Sequence, residues 1–235
     1  MTSVGDIMEK LYTESGTMYE YHYGRLFKNG VELDFVDLGE EGRVFRDKDL
    51  AVKVYHEFPN KEVLSEKEIN KMKDIETKRI VLPKEVIKND KTRGYTMEFI
   101  KGDNESIYTM NKETLVDELN KLREDLEKLG KKKIMISDLR DSNFLSTNDR
   151  FYLIDSGDYM ITNTDCSDLN ISTFNDFFLQ DILGIYLFEE ATADKALDAY
   201  DNVKKGMDSF EGDLASYVDD NFNGSIEEEV KRLVR

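Results

Sequence analysis

The feature that most constrains the fold of this chain is a change in the spacing of its apolar residues near position 102. Before that position apolar and polar residues alternate, most clearly over residues 31–38, and such alternation is typical of half-buried β-strands. After it, leucines recur every three or four residues over residues 115–129, which is the spacing of one face of an α-helix. The sequence therefore predicts an α+β chain that is rich in strands over residues 1–101 and mostly helical over residues 102–235.

The N-terminal half is predicted to form a five-stranded antiparallel sheet with one helix inserted after the third strand. Turn-forming residues separate the strands, and apolar residues at helical spacing mark the helix. The strand-like segments are residues 31–38, 44–45, 50–55, 80–82 with 85–87, and 95–100, and the helical segment is 61–75. The C-terminal half begins with the leucine-spaced helix. Two short apolar runs, 134–136 and 151–154, then flank a polar loop, and the chain is predominantly helical again from about Phe174. This order suggests two lobes with a cleft between them.

The net charge of the chain excludes some classes of partner. The 235 residues carry 33 basic and 50 acidic side chains, a formal net charge of −17. Such a charge argues against a nucleic-acid-binding surface, because neutralising phosphates needs a basic face, and against docking on an anionic membrane. The charge is concentrated in residues 151–230, which hold 19 acidic and 3 basic side chains. This stretch is predicted to be either a solvated helical surface or a docking face for a basic partner.

Cysteine content and hydropathy indicate the compartment. Cys166 is the single cysteine, so no intramolecular disulfide can form, which fits a reducing environment. The first residues show neither the basic nor the apolar region of a secretory signal. No apolar run approaches the length of a membrane span. We therefore expect a cytoplasmic protein with no membrane span.

A polar loop in the C-terminal half carries residues typical of a chemical site. Asp138 and Asn143 lie five positions apart, and Asp155 follows twelve positions later at the end of an apolar run. Mg²⁺ prefers hard oxygen ligands, and phosphoryl transfer also needs a carboxylate that orients the attacking hydroxyl. Asn143 and Asp155 suit the metal and Asp138 suits the base. The alternative is an ordinary surface loop, since Asp and Asn are common turn residues.

A lysine inside an apolar strand is the second unusual feature. Alternation places Lys53 and Ala51 on the same face of that strand, and a charge on a buried face needs a partner or a ligand. The predicted helix that follows supplies several glutamates as candidate partners. A glycine-containing turn at residues 39–42 precedes the strand, as a phosphate-covering loop would. The alternative is an edge-strand lysine that points to water.

Together these features resemble the protein-kinase-like family, in particular its small, atypical Ser/Thr kinase-like proteins of bacteria and phages. The matching segments follow one another in the order of that family and at close to its spacing. They are Leu38–Val44, Leu50–Lys53, Glu68–Ile75, Tyr95–Gly102, Asp138–Asn143 and Ile154–Gly157. The resemblance implies a bilobal kinase-like fold, with an N-terminal antiparallel sheet carrying one helix and a C-terminal mostly helical lobe. It also implies ATP and Mg²⁺ as cofactors.

The resemblance implies catalytic roles for individual residues. Lys53 would hold the α- and β-phosphates of ATP and pair with a helix glutamate. Glu68 fits that role by the apolar register of the helix, and Glu66 is the alternative. Asp138 would orient or deprotonate the acceptor hydroxyl, and Arg140 would face the γ-phosphate.

The resemblance also implies a metal site and a nucleotide site. Asn143 and Asp155 would bind Mg²⁺. Met97 would be the gatekeeper, and the backbone of Glu98 and Ile100 would contact adenine. The residues that would cover the phosphates or enclose the adenine ring are Gly39, Gly42, Val44, Ala51 and Leu145.

The chain departs from the family at several positions. Ile136 and Ser137 stand where the family has histidine and arginine, which removes the usual partner of a phosphorylated activation loop. The middle glycine of the phosphate-covering turn is replaced by Glu40 or Glu41. A carboxylate at that place would repel phosphates unless it points outward.

The identity of the acceptor stays open on the sequence alone. Only a short segment separates Gly157 from the helix expected near Phe174, and protein kinases use that segment to bind an extended peptide. A Ser/Thr protein kinase is the first expectation. The alternatives are a small-molecule kinase of the aminoglycoside-phosphotransferase type and a pseudokinase that serves as a binding module. The acidic C-terminal stretch favours a basic acceptor or partner.

Overall fold

The chain folds into two compact units. The computed structural model describes residues 8–59, 63–136, 139–154 and 159–235. The first unit is Met1–Glu76 with Val81–Ile100, and the second is Thr77–Ile80 with Lys101–Arg235. The division predicted at residues 101 and 102 differs from this one by a single residue and by the short segment Thr77–Ile80.

One antiparallel sheet forms most of the first unit. Among the described residues its nine strands are β1 (Glu9–Thr13), β2 (Met18–His22), β3 (Arg25–Lys28), β4 (Val31–Glu32), β5 (Asp34–Leu38), β6 (Gly42–Asp47), β7 (Leu50–Tyr55), β8 (Glu85–Lys88) and β9 (Thr92–Glu98). Across the sheet they lie in the order β4-β3-β2-β1-β8-β9-β7-β6-β5, and every neighbouring pair is antiparallel. The predicted N-terminal antiparallel sheet is therefore confirmed.

The connection between β4 and β5 shows that this sheet is strongly curled. The two strands lie at opposite ends of the strand order, yet only Leu33 separates them in the chain. A residue spans at most about 3.6 Å, so the two edges must come close together. Across the curl, the hydroxyl of Tyr19 on β2 donates to Asp47 on β6 at 2.9 Å. The enclosed core is formed by Leu11, Tyr19, Leu26, Phe45, Val52, Val54 and Ile87.

The sheet has more strands than the apolar alternation predicts. Strands β1, β2 and β3 are short and carry charged residues and tyrosines, so the alternation that marks a strand is weak in them. Their inward residues, Leu11, Tyr19 and Leu26, are nevertheless buried. The segment 80–82 forms no strand among the described residues. Its contribution to pairing is one isolated parallel bridge, from Ile80 to Leu153.

Helix α1 (Glu66–Met72) follows β7 in the first unit. A capping box begins the helix: the Ser65 side chain accepts from the backbone N–H of Glu68, and the Glu68 carboxylate accepts from the backbone N–H of Ser65 at 2.8 Å. The buried face carries Ile69 and Met72. The helix lies inside the predicted range 61–75.

The second unit is mostly helical, as predicted. Its helices are α2 (Ser106–Thr109), α3 (Lys112–Lys131), α4 (Ser167–Phe177), α5 (Ile185–Glu190), α6 (Ala193–Ser209), α7 (Leu214–Asn221) and α8 (Ile226–Leu233), with a 3₁₀ turn at Asp141–Asn143 and a π-helix at Phe178–Gly184. Helix α3 is the predicted amphipathic helix, and its leucines are buried from Leu115 to Leu129. Asn111 caps its start by accepting from the backbone N–H of Thr114 at 2.9 Å.

Two small sheets accompany these helices. Strand β10 (Ile134–Ile136) pairs with β13 (Tyr159–Ile161), and β11 (Phe144–Thr147) pairs with β12 (Arg150–Leu153), both antiparallel. The two apolar runs predicted around the polar loop are thus strands. Helix α4 begins at Ser167 rather than near Phe174, because its first seven residues are mostly polar and their two apolar side chains, Leu169 and Ile171, are two positions apart rather than at helical spacing.

Helix α3 anchors the segment Thr77–Ile80 through buried carboxylates. Glu118 accepts from both Nε and Nη2 of Arg79, and its side chain is 1% exposed. Asp125 Oδ2 accepts from the backbone N–H groups of Lys78 and Arg79, each at 2.6 Å. Burial raises the pKa of the Asp125 carboxyl, and these backbone donors oppose the rise. The anchor explains why this segment groups with the second unit.

Hydropathy along the helices bears on the membrane prediction. Among the described residues, no helix combines the length and the apolar composition that crossing a bilayer requires.

Candidate nucleotide-binding face and polar loop

Lys53 lies in the middle of β7, a strand with neighbours on both sides in the sheet. The alternation of the strand puts Val52 and Val54 into the core of the curled sheet. Lys53 therefore points to the opposite face, where it is 4% exposed. The reading of Lys53 as an edge-strand lysine that points to water is wrong, because the lysine is both central and buried.

The strand register gathers the predicted nucleotide-contacting side chains on this opposite face. Directly paired residues of antiparallel strands point the same way. Val44 on β6 pairs with Lys53, and Met97 on β9 pairs with Ala51. Because Ala51 and Lys53 are two positions apart, all four side chains share one face of three adjacent strands. Ala51 and Met97 are buried, whereas Val44 is half-buried.

A carboxylate partner of Lys53 comes from the turn that precedes β6. The Nζ of Lys53 lies 2.5 Å from Oε2 of Glu41, and the two side chains are 5% and 2% exposed. The ammonium also lies 5.8 Å from the centre of the Tyr95 ring on β9. Glu41 points inward, while its neighbour Glu40 is exposed. A carboxylate of this turn avoids repelling phosphates if it points outward, and Glu40 meets that condition whereas Glu41 does not.

The turn that carries Glu41 is fixed to the end of β7. The backbone N–H of Gly39 donates to the carbonyl of Gly42 at 3.0 Å, and the N–H of His56 donates to the carbonyl of Glu41 at 2.8 Å. A Cβ atom on Gly42 would lie 2.2 Å from the carbonyl oxygen of Val54. Glycine is needed at position 42 because only it allows the two strands to approach this closely.

The predicted helix partners of Lys53 have other roles. The carboxylate of Glu68 belongs to the capping box of α1, where it also accepts from the Ser65 hydroxyl at 2.7 Å. Glu66 pairs with Lys88 at 2.7 Å. The structure therefore replaces the predicted Lys53–Glu68 pair, and its Lys53–Glu66 alternative, by Lys53–Glu41. The physical reason is that Ser65 begins the helix and keeps the Glu68 carboxylate at its first turn.

The predicted adenine-contacting backbone follows β9. Glu98 is exposed, and its carboxylate lies 3.7 Å from Nζ of Lys84. Ile100 is half-buried and ends the first unit. Between them, the backbone N–H of Phe99 donates to the carbonyl of Asp49 at 3.0 Å.

In the second unit the structure describes part of the predicted catalytic loop. Asn143 ends the 3₁₀ turn and is 9% exposed. Its backbone carbonyl accepts from the N–H of Ile154 at 2.9 Å, and its Oδ1 accepts from the Ser142 hydroxyl at 3.3 Å. Arg140 is exposed and Leu145 is half-buried on β11. Asp138 and Asp155 lie outside the described residues. So does Glu62, a third glutamate that the sequence offers as a partner of Lys53.

Sequence reasoning missed Glu41 as the partner of Lys53. It treated Glu41 only as a departure from a glycine-rich turn. The signal that could have found it is the register of the β6–β7 hairpin, because Gly42 pairs with Tyr55 and this brings residue 41 to the end of the lysine strand. Tyr95, which pairs directly with Lys53, was missed for the same reason.

Comparisons with known proteins do not assign the chain to a family. No protein-family model matches it, and no curated protein is significantly similar to it. The function is therefore inferred from the residues and their geometry.

Proposed function

We propose that the chain is an ATP- and Mg²⁺-dependent phosphotransferase of the kinase-like fold that acts on a hydroxyl acceptor. The acceptor oxygen would bond to the γ-phosphorus as the bond to the β-phosphate oxygen breaks, and Asp138 would take the hydroxyl proton. A Ser or Thr side chain of a protein is the first acceptor to test. The acidic stretch 151–230 favours a basic one.

The observation that carries the proposal is the buried Lys53 on the central strand β7. Burying a lysine to 4% exposure inside a sheet costs free energy unless a charge partner offsets the loss of hydration. Such a position is rare, and a functional need accounts for it. Its face also carries Val44, Ala51 and Met97, which are apolar side chains suited to a flat ring. A cation next to an apolar surface is what a nucleotide with phosphates requires.

The polar loop of the second unit supplies further support. The hydrogen bond from Ile154 to Asn143 brings the end of the β12 segment to the amide residue. Asn143 and Asp155 would hold Mg²⁺, which would neutralise charge on the phosphates when bound. The Asn143 side chain is polar and mostly buried, as a residue that holds a ligand would be.

A small-molecule acceptor is a second candidate, favoured by the position of α4. Because α4 begins at Ser167, only residues 162–166 lie between β13 and this helix. Strand β13 is itself paired with β10. The segment that protein kinases use to bind a peptide is thus shorter than the sequence indicated, which leaves little chain for a peptide platform.

The test is label transfer from γ-labelled ATP. The protein is incubated with Mg²⁺ and either a generic basic protein or a panel of small hydroxyl compounds. We expect transfer to one acceptor class, which decides between the two candidates. Asp138→Ala should lower the rate by about a hundredfold or more, whereas Asp149→Ala, at an exposed turn carboxylate, should not change it.

Two results would contradict the proposal, the first in whole and the second in part. One is the absence of ATP binding and of transfer in the unmodified protein, which would leave a module that only binds a partner. The other is an unchanged rate in Asp155→Ala, which would remove the metal assignment while leaving the phosphotransferase itself standing.

A further inference from the structure

We propose that Glu41 is the positioning residue that fixes the ammonium of Lys53 for contact with phosphate. In the protein-kinase-like family that the sequence resembles, a glutamate on the following helix has this role. The structure assigns the role to a residue in the turn before β6 instead. The inference rests on the proposed function, since Glu41 acts only through Lys53.

The geometry of the pair carries the first step. Nζ of Lys53 and Oε2 of Glu41 are 2.5 Å apart, and neither side chain is more than 5% exposed. Charge attraction at this distance is strong where water is scarce. The pair therefore limits the positions that the ammonium can take, despite the flexible stem.

Two other glutamates considered for the role, Glu68 and Glu66, are bound elsewhere. Glu68 closes the capping box of α1 with Ser65, and Glu66 pairs with Lys88. Moving Glu68 to Lys53 would open the capping box of α1 and remove the carboxylate acceptor of the Ser65 backbone N–H. The fold therefore keeps these two carboxylates away from the lysine.

The backbone around Glu41 shows that its inward position is built into the hairpin. The N–H of His56 holds the Glu41 carbonyl at 2.8 Å, and Gly42 lets β6 approach the backbone of β7. Glu41 thus directly precedes β6, which pairs residue by residue with the lysine strand β7 from Gly42 to Asp47. Glu40, one residue earlier, is exposed and offers a matched control.

One lysine ammonium can bind a carboxylate and a phosphate at the same time. An ammonium carries three N–H donors, so it can contact Glu41 and a phosphate oxygen together. A nearby carboxylate also repels phosphate, so two effects of opposite sign compete. We infer that the positioning effect outweighs the repulsion. A lysine side chain that is already held in place loses little conformational freedom when the nucleotide binds.

The experiment compares ATP with adenosine. Binding constants with Mg²⁺ are measured by calorimetry for the unmodified protein, Glu41→Gln and Glu40→Gln. We expect Glu41→Gln to weaken ATP binding about tenfold and to change adenosine binding less than twofold, because only ATP meets Lys53. A purely structural role would weaken both ligands. Glu40→Gln should bind both like the unmodified protein.

Each other outcome overturns the inference. If Glu41→Gln binds ATP as tightly as the unmodified protein or more tightly, the carboxylate does not position the lysine. If the unmodified protein binds no ATP, the proposed function fails and takes the inference with it. Should Glu41→Gln not fold, Glu41→Asp keeps the charge on a shorter stem. Its ATP binding should be weaker than that of the unmodified protein, and equal binding would overturn the inference.

Discussion

Each unit of the molecule contains a buried ion pair, and the two pairs differ in construction. In the second unit, Glu118 uses both carboxylate oxygens on the guanidinium of Arg79. In the first unit, one oxygen of Glu41 meets the ammonium of Lys53. The first geometry is a rigid fork, and the second is a point charge on a flexible stem. This difference suggests that one pair holds the fold together and the other serves a ligand.

The surroundings of the two pairs support this distinction. Glu118 also accepts from the backbone N–H of Phe151 at 3.4 Å and from Lys121 at 2.9 Å, so it joins helix, strand and connecting segment. The pair raises the pKa of the Arg79 guanidinium, chiefly through the hydrogen bond to Glu118. Glu41 instead stands in a turn between two strands. The Arg79–Glu118 pair is thus tied to several elements of the second unit.

The largest expected effect is on the free energy of unfolding when the Arg79–Glu118 pair is lost. Glu118→Ala leaves Arg79 buried without its carboxylate, and breaking a buried pair in this way costs about 3–5 kcal/mol of unfolding free energy. Urea unfolding followed by circular dichroism measures the cost. Glu124→Ala is the control, because Glu124 lies on the same helix and pairs with Lys78 at the surface. Equal losses in the two variants would contradict the distinction.

A smaller effect is expected when the hairpin formed by β6 and β7 is disturbed. Gly42→Ala places a Cβ atom 2.2 Å from the Val54 carbonyl oxygen. Relieving that overlap should cost about 1–3 kcal/mol of unfolding free energy, and ATP binding should weaken because Glu41 moves. Gly39→Ala is the control, since its nearest contact would be at 3.8 Å. If both variants unfold at the same urea concentration as the unmodified protein, β6 does not depend on this close approach.

The smallest effect is a pH dependence of the unfolding free energy that comes from Asp125, which binds the same segment as the Arg79–Glu118 pair. Burial raises the pKa of Asp125 above its unfolded value near 3.8. A raised pKa contributes stability that is present below the unfolded pKa and is lost as pH rises through the folded pKa. The unmodified protein should therefore lose stability relative to Asp125→Asn as pH rises from 4 towards 7. A difference that is constant over this range would show that Asp125 keeps its ordinary pKa.

The sequence predicts most of the elements whose signals are local. The half-buried strand expected over residues 31–38 is wrong, because the chain divides this segment between β4 and β5, whose residues are exposed. Alternation found β7, leucine spacing found α3, and both the β-rich and the helical half were correct. Strands β1–β3 escaped because their burial depends on the curl of the whole sheet, which brings Tyr19 to Asp47. The start of α4 escaped because Asn170, although 0% exposed, is a polar residue that binds backbone groups of its neighbours.

In the candidate site, positions within one strand were predictable, whereas contacts between strands were not. Lys53 and Ala51 follow from alternation within one strand. Glu41 does not, because its contact with Lys53 depends on the register between strands, and the spacing of the following helix favoured Glu68 instead. The capping box that binds Glu68 was readable in the sequence as Ser65 followed three residues later by a glutamate.

The central claim is that Lys53 on its buried face binds the phosphates of a nucleotide. The most direct measurement is the thermal unfolding midpoint with increasing Mg²⁺ and ATP, for the unmodified protein and for Lys53→Met, which keeps an apolar stem of similar length. We predict that ATP raises the midpoint of the unmodified protein and leaves that of Lys53→Met almost unchanged. Equal shifts in both proteins, or no shift in either, would contradict the claim.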